Sequence, residues 1–515
     1  MNKIKKEIST QTSDRGLNDR FSLVGRVAKN SVVILLGKII DITSSLIVLM
    51  ILARILKPSL YGDYAFINAV VLAFQPLINL EINTILIREM AAERHREWAL
   101  LGGGLLLKMI LLAAFIVSAV ILESIIQFNP MLRMAFYLAV AAEIFQQIVW
   151  VYSAVFMARE RMEFEPLLSL VCKIVTVGGI GLLALFMSSE SMETIGFVLV
   201  FAILAFSQLI RAVLGIFIAA NFLKKFKIQW SFSVAKELFR QSWVMGLATF
   251  LTGLTLRIDI YFLKYFKSSE EIAIFNIPHM FTLQIQILAI SLVTALFPVF
   301  SRLRAAKTND TETFEIVQDA SIRIMALLGL SITIVSGFFP NVIIRVLGGS
   351  AYQDSIPVLV ILSWCIPILF LNYLGANLLT AMKRQNLLIY GAAASLISNA
   401  ILDWLWIPVY GISGASYSTV ISYLLQLSII FFFLYRYSPD MPGLMQAIML
   451  PTLFCLAALF GVRLFEKTFE VRSLASGSFR VLVSALVVAL CFAVQPASFR
   501  GWLRRFRGGS GLQSE

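Results

Sequence analysis

Long apolar runs recur along this chain, broken by short polar turns, from residue 30 to residue 495. A bilayer core is crossed by a helix of about 20 apolar residues, and open strands cannot satisfy their backbone groups in lipid. The runs therefore predict about fourteen helical spans on hydropathy. They fall near 30–55, 62–80, 99–122, 132–157, 166–187, 194–221, 242–265, 271–298, 320–345, 355–380, 386–407, 413–436, 445–464 and 476–495.

Polar residues inside these runs are not scattered. In the first span, Lys38, Asp41 and Ser45 are spaced i, i+3, i+7 and share one helix face. A charge at the centre of a span costs about 2.5–3.5 kcal/mol on insertion scales, so it faces protein or water. Two readings stand side by side. Lys38 and Asp41 neutralise each other, or Lys38 snorkels to the interface; alternatively, the face lines a polar cavity. Further stripes follow. The fourth span carries Glu143, Gln146, Gln147 and Trp150 on one face, and the eleventh carries Ser395, Ser398, Asn399 and Asp403. The sixth has Gln208 and Arg211, and the seventh has Thr252, Thr255 and Asp259 with Arg257 nearly opposite. Lys108 and Lys173 lie in spans three and five. A single such residue holds helices together by hydrogen bonding. Several coherent stripes point instead to a hydrated cavity, expected to hold more cations (Lys38, Lys108, Lys173, Arg211, Arg257) than carboxylates (Asp41, Glu143, Asp259, Asp403). Such a cavity suits an anionic ligand, with phosphate the obvious candidate.

Composition agrees with the class. Hydrophobic residues make up 59% of the chain and charged residues 14%, against about 25% charged in soluble domains. The expected fold is an all-α polytopic membrane protein. Cys172, Cys365, Cys455 and Cys491 lie in apolar runs without CxxC spacing, so neither a disulfide framework nor a metal site is expected. Lys and Arg concentrate in alternate loops (88–96, 159–161, 224–240, 302–307, 383–384 and 500–507), which predicts cytoplasmic N- and C-termini. The loop 465–475, with Lys467 and Arg472, fits this pattern badly. The net charge of +13 reflects these loops and tails, and no nucleic-acid partner is expected.

The expected organisation is a cytoplasmic tail and amphipathic lead-in (1–29), a first lobe of six spans (30–223), a basic linker (224–241), a second lobe of six spans (242–437), two further helices (438–496) and a basic tail (497–515). Both lobes open with a long helix bearing charge, a short turn and an aromatic-rich helix start, which hints at a parallel repeat. No phosphate-binding G-x-x-x-x-G-K-[ST] loop, HExxH or G-x-S-x-G is present, so no ATP engine and no catalytic residues are expected.

The motifs resemble those of a known family. Residues 53–66, ARILKPSLYGDYAF, are similar to the conserved turn of bacterial polysaccharide flippases. So are Arg257-Ile258-Asp259 followed by Ile274-Phe275-Asn276, Phe297-Pro298 with Ser301, and the hinge from Ile407 to Ala415 after Asn399. Across residues 21–440 their order resembles Wzx-type O-antigen or exopolysaccharide flippases, of the superfamily shared with MATE transporters and the lipid II flippase. Glu81 stands where that family usually has Gly, and Ala273 to Phe275 departs from its G-x-Y. The resemblance implies two six-helix lobes plus two helices around a central cavity. It also implies a lipid-linked oligosaccharide on undecaprenyl diphosphate as substrate, moved across a bacterial inner membrane by alternating access.

On this reading Lys38 and Arg257 lead the phosphate contacts, followed by Lys173 and Arg211, then Lys108, Gln146, Gln147 and Asn399. Asp41, Glu143, Asp259 and Asp403 balance those cations or bind a coupling H⁺ or Na⁺. No other cofactor is expected. A polysaccharide polymerase and a chain-length regulator are the expected protein partners. The alternative is a MATE-like drug–cation antiporter.

Overall fold

The structure, a computed structural model, describes residues 37, 40–92, 96–158, 161, 164–222, 229–305, 311–437, 452–453 and 474–493. Lys38, the tails 1–29 and 497–515, and nearly all of the predicted thirteenth span lie outside the described residues. The described elements are helical throughout. The first lobe comprises α1 (40–55), α2 (Pro58–Ala73), α3 (Gln75–Asn79), α4 (Ile82–Ala92), α5 (Glu97–Ile126), α6 (Pro130–Ala158), α7 (Phe164–Phe186), the one-turn α8 (Ser189–Ser191) and α9 (Phe197–Phe222). The second comprises α10 (Phe232–Thr255), α11 (Ile258–Phe266), α12 (Ser269–Ala305), α13 (Thr311–Phe338), α14 (Pro340–Leu347), α15 (Ser355–Leu362), α16 (Cys365–Ala381), α17 (Leu388–Tyr410) and α18 (Ile412–Tyr437). α19 (Leu474–Ala493) packs on α13. Among the described residues, 10 helices are long and apolar enough to cross a membrane.

Several predicted spans are interrupted, each for a local reason. The expected second span, 62–80, divides because Pro76 opens α3 within its first two residues and cannot donate to a continuing helix. Leu80 and Glu81 then take left-handed backbone angles, φ 42° and 55°. Glu81 is the position where the resembling family has Gly, the residue that adopts such angles freely. The seventh span breaks at Leu256–Arg257. There the Thr252 and Thr255 hydroxyls donate to the carbonyls of Ala248 and Leu251 one turn back, a pattern that bends helices. The Arg257 amide donates to Leu254, while its guanidinium donates to the Gly253 carbonyl at 3.0 Å. The side chain thus takes the acceptor that a continuous helix would have given its own amide. α10 also begins at Phe232, well before the expected 242, because Ser231 caps it through Val234 N. Its first turns bury Val234, Ala235 and Leu238, while Lys236 and Arg240 stay outside, so half of the predicted basic linker is amphipathic helix.

The lobes meet along two seams. Where α1 turns into α2 and α11 into α12, Lys264 Nζ lies 2.8 Å from Asp63 Oδ1, which also accepts from Ser269 Oγ at 2.6 Å. Tyr261 donates to the Ala69 carbonyl at 2.7 Å, and Arg54 to that of Val346 at 2.9 Å. The backbones touch here: a Cβ on Gly62 would stand 1.6 Å from the Ser269 carbonyl oxygen. One buried core runs through this seam, joining Leu52, Tyr61 and Phe201 to Leu263, Phe275 and Tyr352. At the opposite end α10 lies against the first lobe. Arg96 pairs with Glu237 at 3.2 Å, Arg88 donates to Gln241 at 2.9 Å, and Gly246 meets Leu80. Away from the seams, Ile116, Val117, Ile121 and Ile125 of α5 form an exposed apolar face of the kind lipid covers.

Gly411, with φ 57°, makes the turn between α17 and α18, and Gly414 packs against the Trp406 carbonyl, as turn and hinge geometry requires. Overpacked interiors cost about 1–3 kcal/mol, and a helical Gly-to-Ala change in open space gains roughly 0.5–1 kcal/mol. Gly62→Ala is therefore expected to lower the thermal unfolding midpoint of the detergent-purified protein. Gly178→Ala, where nothing lies within 4 Å, is expected to leave it unchanged or raise it. Equal midpoints for the two variants would remove the close approach at Ser269 from the account.

Candidate functional site

A cavity of about 730 Å³ lies within the first lobe and is completed by α11 and α12 of the second. It falls inside the size range of small-molecule sites. α1 contributes Asp41 and Ser45, and α2 contributes Tyr64 and Asn68, with Gln75 following from α3. α6 contributes Glu143, Gln146 and Trp150, α7 contributes Glu165, Ser169 and Lys173, and α9 contributes Ser207, Gln208 and Arg211. Arg257 enters from the break between α10 and α11, and Asn276 and Gln284 from α12. Helical periodicity explains the set, since each stripe repeats at three- and four-residue steps that bring polar side chains to one face.

The three described cations differ in their engagement. Lys173 Nζ donates to Ser45 Oγ at 3.1 Å and has no carboxylate partner. Arg257 donates one bond to the Gly253 carbonyl and likewise has no carboxylate partner among the described residues. Arg211 alone is held by an acid: its Nη2 lies 2.7 Å from Glu165 Oε1, and its Nη1 reaches Gln146 Oε1 at 3.4 Å. Asp41 accepts from Ser169 Oγ at 2.6 Å. Among the described lining residues, Lys173, Arg211 and Arg257 are therefore matched in number by Asp41, Glu143 and Glu165. The described lining shows no cation surplus, because Lys38 lies outside the described residues, Lys108 is behind the wall and Glu165 faces inward.

Lys108 and Gln147 sit behind the wall. Lys108 is 2% exposed, and its ammonium donates to Gln147 Oε1 at 2.6 Å and Asn79 Oδ1 at 2.9 Å. Gln147 donates in turn to Glu143 at 2.5 Å. The lysine thus braces α5 to α3 and α6, and touches the cavity only through two side chains. Buried polar groups require such partners.

Asp259, Asn399 and Asp403 form a second polar cluster, wholly within the second lobe and apart from the cavity lining. Thr419 Oγ1 donates to Asp259 Oδ1 at 2.9 Å and Asn399 Nδ2 to the same oxygen at 3.3 Å. Ser418 donates to Asp403, and Ser422 to Asn399 at 3.3 Å. All three of Asp259, Asn399 and Asp403 are fully buried. The remaining carboxylate oxygen of each aspartate has no protein donor. Burying two ionised carboxylates in one cluster is costly.

Arg257 and Asp259 flank Ile258 but point into different sites. The helix break between α10 and α11 separates them, so one segment serves the cavity on one side and the carboxylate cluster on the other. Glu165 was absent from the expected site residues because it sits beside the basic loop 159–161 and reads as a loop charge. A signal existed: Glu165, Ser169, Lys173 and Thr176 repeat at four, four and three residues, and all line the cavity.

A polysaccharide biosynthesis protein family model matches residues 27–304, and a MatE model matches residues 245–405. The lipid II flippase MurJ in its inward closed conformation superposes with TM-score 0.68 at 14% identity, covering 92% of this chain and 100% of that one. An inward-facing multidrug resistance MATE family transporter gives 0.61 at 13% identity, covering 77% of this chain and 94% of that one. A MOP superfamily transporter from Pyrococcus furiosus, noted for a binding pocket of reverse polarity, gives 0.59 at 15% identity, covering 81% of this chain and 96% of that one. In sequence, 174 residues are 29% identical to the uncharacterized membrane protein MJ1068 of Methanocaldococcus jannaschii. That stretch spans 33% of this chain and 33% of the relative. The fold is that of MOP superfamily transporters, and the match over more than half its length makes this chain a member of the polysaccharide biosynthesis protein family.

Proposed function

We propose that this protein flips an undecaprenyl-diphosphate-linked oligosaccharide repeat unit across a bacterial inner membrane for surface polysaccharide assembly, whether O-antigen, exopolysaccharide or capsule. The observation that carries the reading is the cavity itself. Amide and hydroxyl side chains interrupt its apolar lining, and Lys173 and Arg257 stand in it without acid partners among the described residues. Carrying a bare diphosphate through hydrocarbon is prohibitive, and unpaired cations in a polar chamber remove most of that penalty. The amides and hydroxyls suit the sugars, while the polyprenyl tail stays in lipid.

Movement comes from rocking of the lobes 30–223 and 242–437 about the cavity, exposing it to one leaflet and then the other. Lys38, at the start of the first span, remains a candidate phosphate contact beside Arg257. The carboxylate cluster of Asp259 and Asp403, with Asn399 and Thr419, binds the coupling H⁺ or Na⁺, and the segment from Arg257 to Asp259 passes its occupancy to the cavity. Both termini face the cytoplasm, and a polymerase and a chain-length regulator receive the product on the far side. A second reading, a MATE-like cation antiporter, is favoured by the equal number of carboxylates and cations on the described lining and by the MatE match.

Complementation of a flippase-null strain tests the first reading. Arg257→Gln and Lys173→Gln are each expected to reduce surface polysaccharide at least tenfold at equal protein levels, whereas Trp150→Phe retains it. Full complementation by both charge-neutral variants, together with raised resistance to cationic drugs on expression of the wild type, would select the antiporter instead.

The coupling site has its own test in proteoliposomes. Asp259→Asn and Asp403→Asn are expected to abolish the stimulation of lipid-linked sugar transport by an imposed gradient while leaving ligand binding within about threefold. Stimulation by Na⁺ at constant pH, or by pH without Na⁺, identifies the ion. Undiminished stimulation in both variants would detach the cluster from coupling.

A further inference from the structure

Arg211 is held in an unusual way. The side of a guanidinium that carries Nε and Nη2 presents two parallel donors, which matches a pair of oxygens on one carboxylate or phosphate. In Arg211 only one of the two is used. Nη2 donates to Glu165 Oε1 at 2.7 Å, while the buried Nε has no acceptor. On the other side of the carboxylate, Ser153 donates to Glu165 Oε2. Arg211 is anchored for this geometry, since its own carbonyl accepts from Tyr152 at 2.8 Å. Gln208, one turn earlier on α9, also has a buried side-chain oxygen without a donor. Both Arg211 and Glu165 line the cavity.

We propose that Glu165 is a built-in counter-anion that occupies half of a phosphate-binding fork and is displaced when a diphosphate enters. This rests on the reading of the cavity as a site for a phosphate-bearing ligand, and it names the residue that competes with that ligand. A phosphate group has the oxygens to engage Nε and Nη2 together, which the tethered carboxylate does not do. A buried donor without an acceptor is costly, so the exchange gains the bond that the resting state lacks. The released carboxylate keeps its bond from Ser153 and stays in the first turn of α7, where the helix dipole favours negative charge. When the ligand leaves, Glu165 returns to Arg211. The site therefore never holds a bare buried guanidinium, and the carboxylate sets both how tightly the anion binds and how readily it is released.

The test is binding of inorganic pyrophosphate to the full chain in detergent, by calorimetry, with farnesyl diphosphate as a parallel probe for the lipid-borne group. Glu165→Gln keeps the hydrogen-bonding shape and removes the competing charge. It is expected to tighten pyrophosphate about tenfold, with an unchanged unfolding midpoint, and to slow turnover in the transport assay. Arg211→Gln is expected to weaken binding at least tenfold, and the double variant to match Arg211→Gln alone, because Glu165 acts only through Arg211. A residue with a merely structural role would not tighten the ligand when replaced. If Glu165→Gln binds no tighter while Lys173→Gln and Arg257→Gln still weaken binding, the displacement is overturned and the cavity reading stands. If no cation variant alters binding of either probe, both fall together.

Discussion

Hydrocarbon offers no solvent to a polar group, and this constraint decides where every charged side chain in the bundle can sit. Each buried donor or acceptor must find a partner inside the protein or open onto a wet chamber. Three groups of described charges answer the requirement in different ways. Lys108 is closed off by Asn79 and Gln147 and serves as a brace. Asp259 and Asp403 are surrounded by hydroxyls and an amide, but keep one oxygen each in reserve. Lys173, Arg211 and Arg257 reach a common cavity. Of the three, only this last group lines a cavity of about 730 Å³.

The helix break at Leu256–Arg257 is what keeps the second and third solutions apart. On a continuous helix, residues two positions apart diverge by about half a turn but belong to the same rigid rod. Here the break lets Arg257 serve the cavity while Asp259 starts a new helix in the other lobe's carboxylate cluster. Threonine back-bonding and the Arg257 side chain on the Gly253 carbonyl keep the break satisfied without water.

Much of this was legible from the chain alone. The periodicity of Glu143 and Gln146, and of Gln208 and Arg211, correctly places those side chains on one chamber, because a helix converts three- and four-residue spacing into a shared face. What spacing does not carry is the direction of that face relative to other helices. Asn399 and Asp403 form as good a stripe as any, yet their face turns into the second lobe and meets Asp259. Lys108 shows the same limit, since a lone lysine in a span looks identical whether it is a ligand contact or a brace. Glu165 was hidden by its neighbourhood, being the first-turn acid of a helix that follows basic residues. Breaks within spans escaped hydropathy altogether: Pro76 and the threonines before Arg257 change backbone direction without changing apolarity.

The contact between Gly62 and the Ser269 carbonyl has a further consequence. Where two bundles meet through side chains, rotamers let them settle in several slightly different positions. Where main chain meets main chain, there is nothing to rearrange, and the two surfaces come to rest at one separation or do not engage. The Asp63–Lys264 pair beside this contact adds a charge-assisted bond between the same two surfaces, so position is set there by main chain and charge together.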